Sequence, residues 1–153
     1  MLRGRYLMTE IPDAKTVREG SFGFLIQTLS RRLQLSMKQE LAGQDVDAKI
    51  FANLMALRER DGINQRQLGE KLDFPEYYTS RNVDALVEAG FAERRPDPNS
   101  RRSHLIFLTA KGREKAECLP AVIKKVNDQF LDSLDDGKRK AMIKLLKEVV
   151  GID

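Results

Sequence analysis

The sequence predicts a mainly α-helical protein with one small β-hairpin, arranged as a winged helix-turn-helix. Apolar residues recur at helical spacing along most of the chain. Residues 91–109 differ, because two short apolar runs flank a polar segment. That segment is rich in turn-forming residues, namely Pro96, Asp97, Pro98 and Asn99. A helical pattern that ends at Gly90, followed by strand, charged hairpin and strand, is the element order of a winged helix.

The helix-turn-helix domain is predicted to begin with two helices. One begins after an N-cap at Asp47. The next, Gln65–Leu72, is short and has Asn64 as its N-cap. Gly69 lowers the stability of this helix, so its presence predicts the close approach of a neighbouring helix. Asp73 is expected to end it, because aspartate tolerates the left-handed backbone conformation.

The third helix is expected over residues 75–89. Pro75 suits its first turn, where a missing N–H does no harm, and Gly90 is its C-cap. At 100° per residue, the inward side holds Thr79, Val83 and Leu86, and the opposite side holds Tyr77, Arg81, Asp84 and Glu88. An aromatic residue on the outward side near a helix start is unusual in a simple soluble protein.

Amphipathic helices are also predicted at both ends of the chain. One covers about residues 18–40, Thr109 caps a second that runs to about Ser133, and Asp135 caps the last. They are too long and too apolar to pack on a small winged domain alone, so we expect pairing with a second copy. The predicted domains are residues 1–40, an N-terminal extension and dimerisation helix; residues 45–109, the winged helix-turn-helix; and residues 110–153, the C-terminal dimerisation helices.

Positive charge is concentrated around the hairpin. The whole chain has a formal net charge of +4, whereas the segment from Arg94 to Lys115 holds seven cations and two carboxylates. A local basic stripe on a balanced background is typical of proteins that contact phosphates. In a winged helix it indicates double-stranded DNA, with the third helix in the major groove and the wing at the next groove.

No catalytic, metal or cofactor site is predicted, and we do not expect an enzyme. The sequence lacks a Gly-rich phosphate loop, a nucleophile motif and metal-ligand spacing, and it has one His and one Cys. We interpret His104 as a surface histidine of the wing and Cys118 as a buried structural residue rather than a redox sensor. Residues 1–7 look like an extension, and the sequence leaves both Met1 and Met8 open as the native start. Without a signal peptide or spanning segment, we expect a cytoplasmic protein.

Three blocks of residues occur together in a characteristic order. They are Asp97-Pro98-Asn99-Ser100-Arg101-Arg102 with the later Leu108-Thr109 and Gly112; residues 63–72; and Ser80-Arg81, Val83-Asp84 and Leu86 ahead of Gly90-Phe91. Over about residues 18–150 the chain therefore resembles the MarR (multiple antibiotic resistance regulator) family. It departs from the family pattern where Ser100 replaces Asp, Asp73 replaces Gly, Thr79 and Asn82 replace apolar residues, and Tyr77 and Tyr78 replace small polar residues.

The third helix and the short helix before it supply most of the predicted DNA contacts. Arg81 is expected to bind a guanine edge or a phosphate, and Tyr77 and Tyr78 a thymine methyl group or a phosphate. The short helix presents polar side chains at an N-terminus that suits a phosphate. An ordinary solvated surface, with Arg81 paired to Asp84, is the alternative. The helix residues predicted to bind DNA are Gln65, Arg66, Gln67, Pro75, Glu76, Tyr77, Tyr78, Ser80 and Arg81.

The wing supplies the remaining predicted contacts. One of Arg101 and Arg102 is expected to enter the minor groove, while Asp97 braces the other. The wing residues predicted to bind DNA are Asp97, Asn99, Arg101 and Arg102. The alternative is a solvated hairpin with a surface salt bridge.

The resemblance implies a homodimeric transcription regulator that binds an inverted-repeat operator, with repression favoured over activation. It also implies a small lipophilic or phenolic effector, bound between the dimerisation helices and the DNA-binding domain. The alternative from another class is a winged-helix protein-interaction module without sequence-specific DNA binding. Steep salt dependence and preference for one duplex over random DNA would separate the two.

Overall fold

The computed structural model describes residues 11–152, so the open choice between Met1 and Met8 as the start lies outside the described residues. The helices are α1 (Ala14–Glu19), α2 (Phe22–Ala42), α3 (Ala48–Glu59), α4 (Gln65–Leu72), α5 (Glu76–Glu88), α6 (Ala110–Leu131) and α7 (Asp136–Val150). The strands are β1 (Ile63–Asn64), β2 (Ala92–Asp97) and β3 (Ser100–Leu108). The predicted mainly helical, winged fold is confirmed. In the described part of the chain, no helix is long and apolar enough to cross a membrane.

Two compact units make up the chain, one ending at Leu35 and the other beginning at Ser36. The first holds α1 and the first part of α2. The single helix predicted over residues 18–40 is wrong at its start, because Gly20 ends α1 as its C-cap. The hydroxyl of Ser21 then accepts a hydrogen bond at 3.4 Å from a backbone N–H in the first turn of α2.

The second unit has a buried core in which α3 contacts α4, α5, α6 and β3. Its fully buried large side chains include Leu41, Leu54, Leu57, Leu68, Leu86, Ile106 and Leu119. Burial of one such side chain stabilises a fold by about 1.5–3 kcal/mol. The inward side predicted for the third helix is confirmed, since Thr79, Val83 and Leu86 are buried while Tyr77 and Arg81 are exposed.

Side chains cap the helices as predicted. Asp47, Asn64, Thr109 and Asp135 each accept a hydrogen bond from a backbone N–H in the first turn of their helix. Asp73 ends α4 in the left-handed conformation, with a φ of 53°. These helix limits are set by local hydrogen bonds, which explains why the sequence predicts them well.

The limits of α5 differ by one residue from the prediction. Pro75 stands at the N-cap with an extended backbone, and the helix begins at Glu76. Ala89 is the C-cap, and Gly90 follows it with a φ of 75°. The backbone geometry of Pro75 and Gly90 still separates α5 from the segments on either side.

The contact between α4 and α5 is close at Gly69. A Cβ added to Gly69 would lie 2.9 Å from Oγ1 of Thr79 and 3.2 Å from the carbonyl oxygen of Phe74. The close approach predicted from this glycine is therefore confirmed. A larger residue would push α5 away from α4.

The wing is the hairpin of β2 and β3, and β1 joins it on the other side in the order β1-β3-β2. Both pairings are antiparallel, with Ile63 opposite Ile106. The register shifts between Pro96 and Asp97 at the hairpin turn. We did not predict β1, because two residues are too few to show an alternating pattern.

Asp61, in the turn after α3, holds the wing and α6 to the end of α3. Its Oδ1 accepts hydrogen bonds from the N–H groups of Gly62 and Leu108 at 3.1 and 2.8 Å. Its Oδ2 lies 2.9 Å from Nη1 of Arg113 in α6. Hydrogen bonds to a charged group are stronger than neutral ones. One carboxylate therefore fixes β3 and α6 relative to α3.

Polar contacts attach α7 to the chain before it, since none of its described residues is buried. Nε of Arg139 donates to the carbonyl of Leu134 at 2.9 Å, and Nη1 lies 3.4 Å from Oδ1 of Asp128. A hydrogen bond from Lys124 lowers the pKa of Asp128 and keeps this carboxylate charged.

Cys118 is exposed, so its predicted burial is wrong. Ala116 and Leu119 on either side of it in α6 are buried. Each residue turns a helix by about 100°, so Cys118 falls on the solvent side. The carbonyl of Glu114 accepts a hydrogen bond from its thiol at 3.5 Å.

Gly112→Ala is expected to destabilise the winged domain strongly. Gly112 is buried in the first turn of α6, and an added Cβ would overlap the carbonyl oxygen of Phe91. Because backbone atoms would have to move, we expect a loss of about 3 kcal/mol in the free energy of unfolding. Denaturant unfolding followed by circular dichroism measures this.

Gly23→Ala in α2 is the matched control. The nearest atom to its added Cβ is 3.9 Å away, so its stability should change by less than about 1 kcal/mol. Equal unfolding midpoints for the two variants would contradict the prediction.

Candidate nucleic-acid interface

The N-terminus of α4 is closed by a reciprocal pair of side-chain hydrogen bonds. Oδ1 of Asn64 accepts from the N–H of Gln67 at 2.8 Å, and the N–H of Asn64 donates to Oε1 of Gln67 at 3.0 Å. The side chain of Gln67 therefore caps the helix through its Oε1, and its predicted contact with a phosphate stays a prediction. Gln65 is half-buried, and Arg66 is exposed beside it.

Arg66 remains on the surface as a fixed cation. Its Nε donates to Oε1 of Glu70 at 2.8 Å, while 87% of its side chain stays exposed. The hydrogen bond and the negative charge of Glu70 raise the pKa of Arg66. The pairing holds the guanidinium along the helix without burying it.

Two tyrosines near the start of α5 have different surroundings. Tyr77 is 67% exposed. Tyr78 is half-buried and packs edge-on against Phe74, with 4.9 Å between ring centroids and an interplanar angle of 82°. Tyr78 is thus held in place, whereas the ring of Tyr77 faces solvent. Glu76 is exposed and Ser80 is half-buried.

Arg81 is exposed on the outward side of α5 and has no ion-pair partner within residues 11–152. The alternative pairing of Arg81 with Asp84 is wrong, because Asp84 pairs with Arg94 of β2. That ion pair joins α5 to the wing and leaves the guanidinium of Arg81 free.

The wing tip differs from its prediction in one respect. Oδ1 of Asp97 accepts a hydrogen bond from the N–H of Asn99 at 2.9 Å and so stabilises the turn. No ion pair links Asp97 to Arg101 or Arg102 in the part of the chain that the structure describes. The predicted bracing by Asp97 is therefore absent from this structure, and both arginines are exposed.

Two neighbouring crevices bring some of the predicted residues of α4, α5 and the wing together. The first, of about 340 Å³, lies between α4 and the wing and is lined by Gln65, Arg66, Arg94, Arg102 and His104, among others. The second, of about 530 Å³, lies between α4 and α5 and shares Gln65 and Arg66 with the first. A continuous strip thus runs from the start of α5 across α4 to the wing. The predictions from sequence omitted Arg94, because its position beside α4 arises only when the hairpin folds back.

Two further contacts stabilise the wing and the end of α5. The guanidinium of Arg95 lies 4.3 Å from the centroid of the Phe107 ring, a favourable cation–π distance. Nζ of Lys111 donates to the carbonyl of Ala89 at 3.0 Å. A cation at this position stabilises the C-terminus of α5 through the helix dipole.

The geometry is that of a binding surface. In the described residues, no group of three His, Cys, Asp or Glu side chains could hold a metal ion. His104 is exposed on β3, in keeping with its interpretation as a surface histidine. A short helix, a tight turn, an outward-facing second helix and a basic hairpin define the class of winged helix-turn-helix regulators that bind DNA.

Comparison with known proteins agrees with this class. A sequence model of the MarR family matches residues 51–103. The transcriptional regulator BilQ of Clostridium symbiosum is 25% identical over 131 residues, which span 86% of this chain and 91% of that protein. The chain is thus similar to proteins of the MarR family, and the curated proteins it matches are transcriptional regulators rather than enzymes.

Solved structures share the fold over nearly the whole chain. A MarR transcriptional regulator from Methanosarcina mazei Go1 superimposes with a TM-score of 0.79 at 28% identity, covering 84% of this chain and 93% of that one. The transcriptional repressor CouR, in a structure bound to a 23-mer DNA duplex, gives a TM-score of 0.82 at 21% identity. That match covers 92% of this chain and 99% of CouR.

Proposed function

We propose that this DNA-binding regulator is a homodimeric repressor of an inverted-repeat operator. The observation that carries the proposal is the exposure of Tyr77 and Arg81 on α5 and of Arg102, which lines the crevice between α4 and the wing. Cations that lack acidic partners are available to phosphates and base edges. CouR, which has the same fold, is a repressor whose structure contains a DNA duplex.

In this proposal α5 enters the major groove with its N-terminal turns against the bases. Arg81 binds a guanine edge or a phosphate, and Tyr77 contacts a thymine methyl group or a phosphate. Tyr78, packed on Phe74, serves as a fixed contact beside them. The wing places Arg101 or Arg102 in the adjacent minor groove. The remaining proposed contacts are Gln65, Arg66, Pro75, Glu76, Ser80, Asp97 and Asn99, with Gln67 acting through its cap.

The terminal helices form the proposed dimer. Apolar side chains on α7 are strongly exposed in the single chain, with Leu145 at 60%, Val149 at 65% and Val150 at 67%. A contiguous exposed apolar face on a helix indicates a partner surface. The proposed division therefore keeps residues 1–40 and 110–153 for dimerisation and residues 45–109 for DNA.

Regulation by a small lipophilic or phenolic compound is part of the proposal and rests on the resemblance to the MarR family. Such a compound releases DNA only if it binds better to one spacing of the recognition helices than to another. The cytoplasmic location expected from the sequence also remains a proposal, and it fits a protein whose partner is chromosomal DNA.

Selection of bound duplexes from a random pool tests the proposal. We expect enrichment of an inverted repeat whose half-sites are about one helical turn, roughly 10 bp, apart. Affinity should fall about 10³-fold or more between 50 and 200 mM salt if roughly six phosphates are contacted. A reporter gene placed behind the enriched site should be less active when the protein is present. Enrichment of no sequence over random DNA would favour the protein-interaction module instead.

Leu145→Asp is expected to abolish dimerisation, because a carboxylate would lose its water inside an apolar interface. Analytical ultracentrifugation should give the mass of one chain, and binding to the enriched inverted repeat should fall sharply. Lys140→Asp is the matched control, since Lys140 is an exposed polar residue on another side of α7. A dimeric Leu145→Asp protein would refute the role of this face.

Arg81→Ala and Arg102→Ala are expected to have different effects on DNA binding. Loss of a contact to a base edge should reduce discrimination at one operator position by about 1–3 kcal/mol. Loss of Arg102 should weaken enriched and random duplexes alike and reduce the salt slope by about 1. Titrations on both duplexes at several salt concentrations measure this. Equal losses on both duplexes for both variants would overturn the two roles.

A further inference from the structure

A polar pair joins α3 to α5 inside the apolar core. Asn53 is 0% and Asn82 is 3% exposed, and Nδ2 of Asn82 donates to Oδ1 of Asn53 at 3.0 Å. Their neighbours Leu54, Val83 and Leu86 are buried and apolar. The sequence analysis identified Asn82 as a departure from a usually apolar position, but its partner became visible only in the structure.

Stability does not account for this pair. Nδ2 of Asn53 is buried and has no hydrogen-bond partner among the described residues. A buried donor without a partner destabilises a fold, whereas two apolar side chains of similar shape avoid this penalty. Leucine at both positions should therefore give a more stable contact between α3 and α5.

A hydrogen bond has a preferred direction, which apolar contacts lack. Hydrophobic burial has no direction. When core residues are replaced by other apolar residues of the same total volume, the core loses its unique arrangement before it loses stability. A bond of 3.0 Å between two buried amides, by contrast, constrains both the rotation of α5 and its position along its axis. A buried asparagine pair can specify register in this way.

The position of this bond on α5 connects it to DNA recognition. Asn82 directly follows Arg81, so a rotation of the helix that breaks the bond also moves the guanidinium. Base recognition requires side chains to be held within about 0.5 Å of the productive geometry. Tyr77 lies on the same outward side of α5 and would move with it.

The wing is also attached to the end of α3. Asp61, directly after α3, holds β3 through the N–H of Leu108 at 2.8 Å. The Asn53–Asn82 bond attaches α5 to this same helix. The separation between α5 and the wing therefore depends on both attachments, with the ion pair of Asp84 and Arg94 as a third link.

We propose that Asn53 and Asn82 are positioning residues for sequence recognition, which set α5 on α3 so that Arg81 and Tyr77 meet DNA in one arrangement. This inference rests on the proposed reading of bases by α5. It assigns to a buried pair, which touches no DNA, a role in choosing the operator.

The test combines the double variant Asn53→Leu/Asn82→Leu with the single variant Asn82→Ala. The double variant should unfold about 4 °C higher than the wild type, because the unpaired donor is gone. Its affinity for the duplex enriched by the wild-type protein should fall about tenfold, while its affinity for a random duplex stays within about twofold. The single variant should show the same DNA effect with a lower melting temperature.

Thr79→Val is the matched control. Thr79 is a buried polar residue of α5, but its hydroxyl donates only to the carbonyl of Pro75, at 3.2 Å, just before the same helix. Within residues 11–152 it makes no polar bond to α3, so the ratio of enriched to random affinity should stay within about twofold of the wild type. A loss of this ratio in Thr79→Val equal to that in the double variant would overturn the proposal.

A measurement without DNA separates this proposal from the proposed function. In ¹⁵N-resolved NMR spectra of the free double variant, residues of α5 should give broadened or doubled amide signals while those of α3 stay single. One sharp set of α5 signals, or an unchanged preference for the enriched duplex in a folded variant, would overturn the positioning role. If the wild-type protein enriches no duplex, the proposed function fails, and the NMR comparison still decides the role of the pair. If the double variant does not fold, Asn82→Ala decides the proposal by the same two measurements.

Discussion

The carboxylate of Asp61 is the interaction on which the geometry of the winged domain depends. It accepts two backbone hydrogen bonds, from Gly62 and Leu108, and pairs with Arg113 of α6. The end of α3, strand β3 and helix α6 thus meet at one side chain, although Leu108 lies 47 positions after Asp61. Because the wing leaves the core at β3, its direction relative to α5 follows from this junction.

The arginines around the wing fall into two groups with different physical roles. Arg94 and Arg95 pair with carboxylates within the domain, and Arg94 thereby joins β2 to α5. Arg101 and Arg102 at the tip are exposed and have no acidic partner within residues 11–152. Ser100 stands where the family commonly has a second aspartate, and Asp97 is engaged by the turn. The tip therefore presents positive charge that no local carboxylate neutralises, which suits a surface that meets phosphates.

Features controlled by neighbours in sequence were predicted well. The caps at Asp47, Asn64, Thr109 and Asp135 and the left-handed end at Asp73 are local hydrogen-bond and backbone effects. The predictions that were wrong concern contacts that a local pattern does not contain. Cys118 lies on the solvent side of a helix whose exact rotation depends on packing, whereas the bond from Asn64 to Gln67 is a local capping pattern that we did not predict.

The sequence by itself determined the order of the elements from α3 to α7 apart from β1, the inward side of α5, the basic character of the wing and the resemblance to a family. These follow from periodicity, capping and charge, which act over a few residues. Only the tertiary structure decided that Asp84 pairs with Arg94 and leaves Arg81 without an ion-pair partner within residues 11–152, that α4 and the wing border one crevice, and that Asn82 meets Asn53 in the core. Such pairings join residues 10 and 29 positions apart, or bring two elements together, so they exist only after the chain has folded.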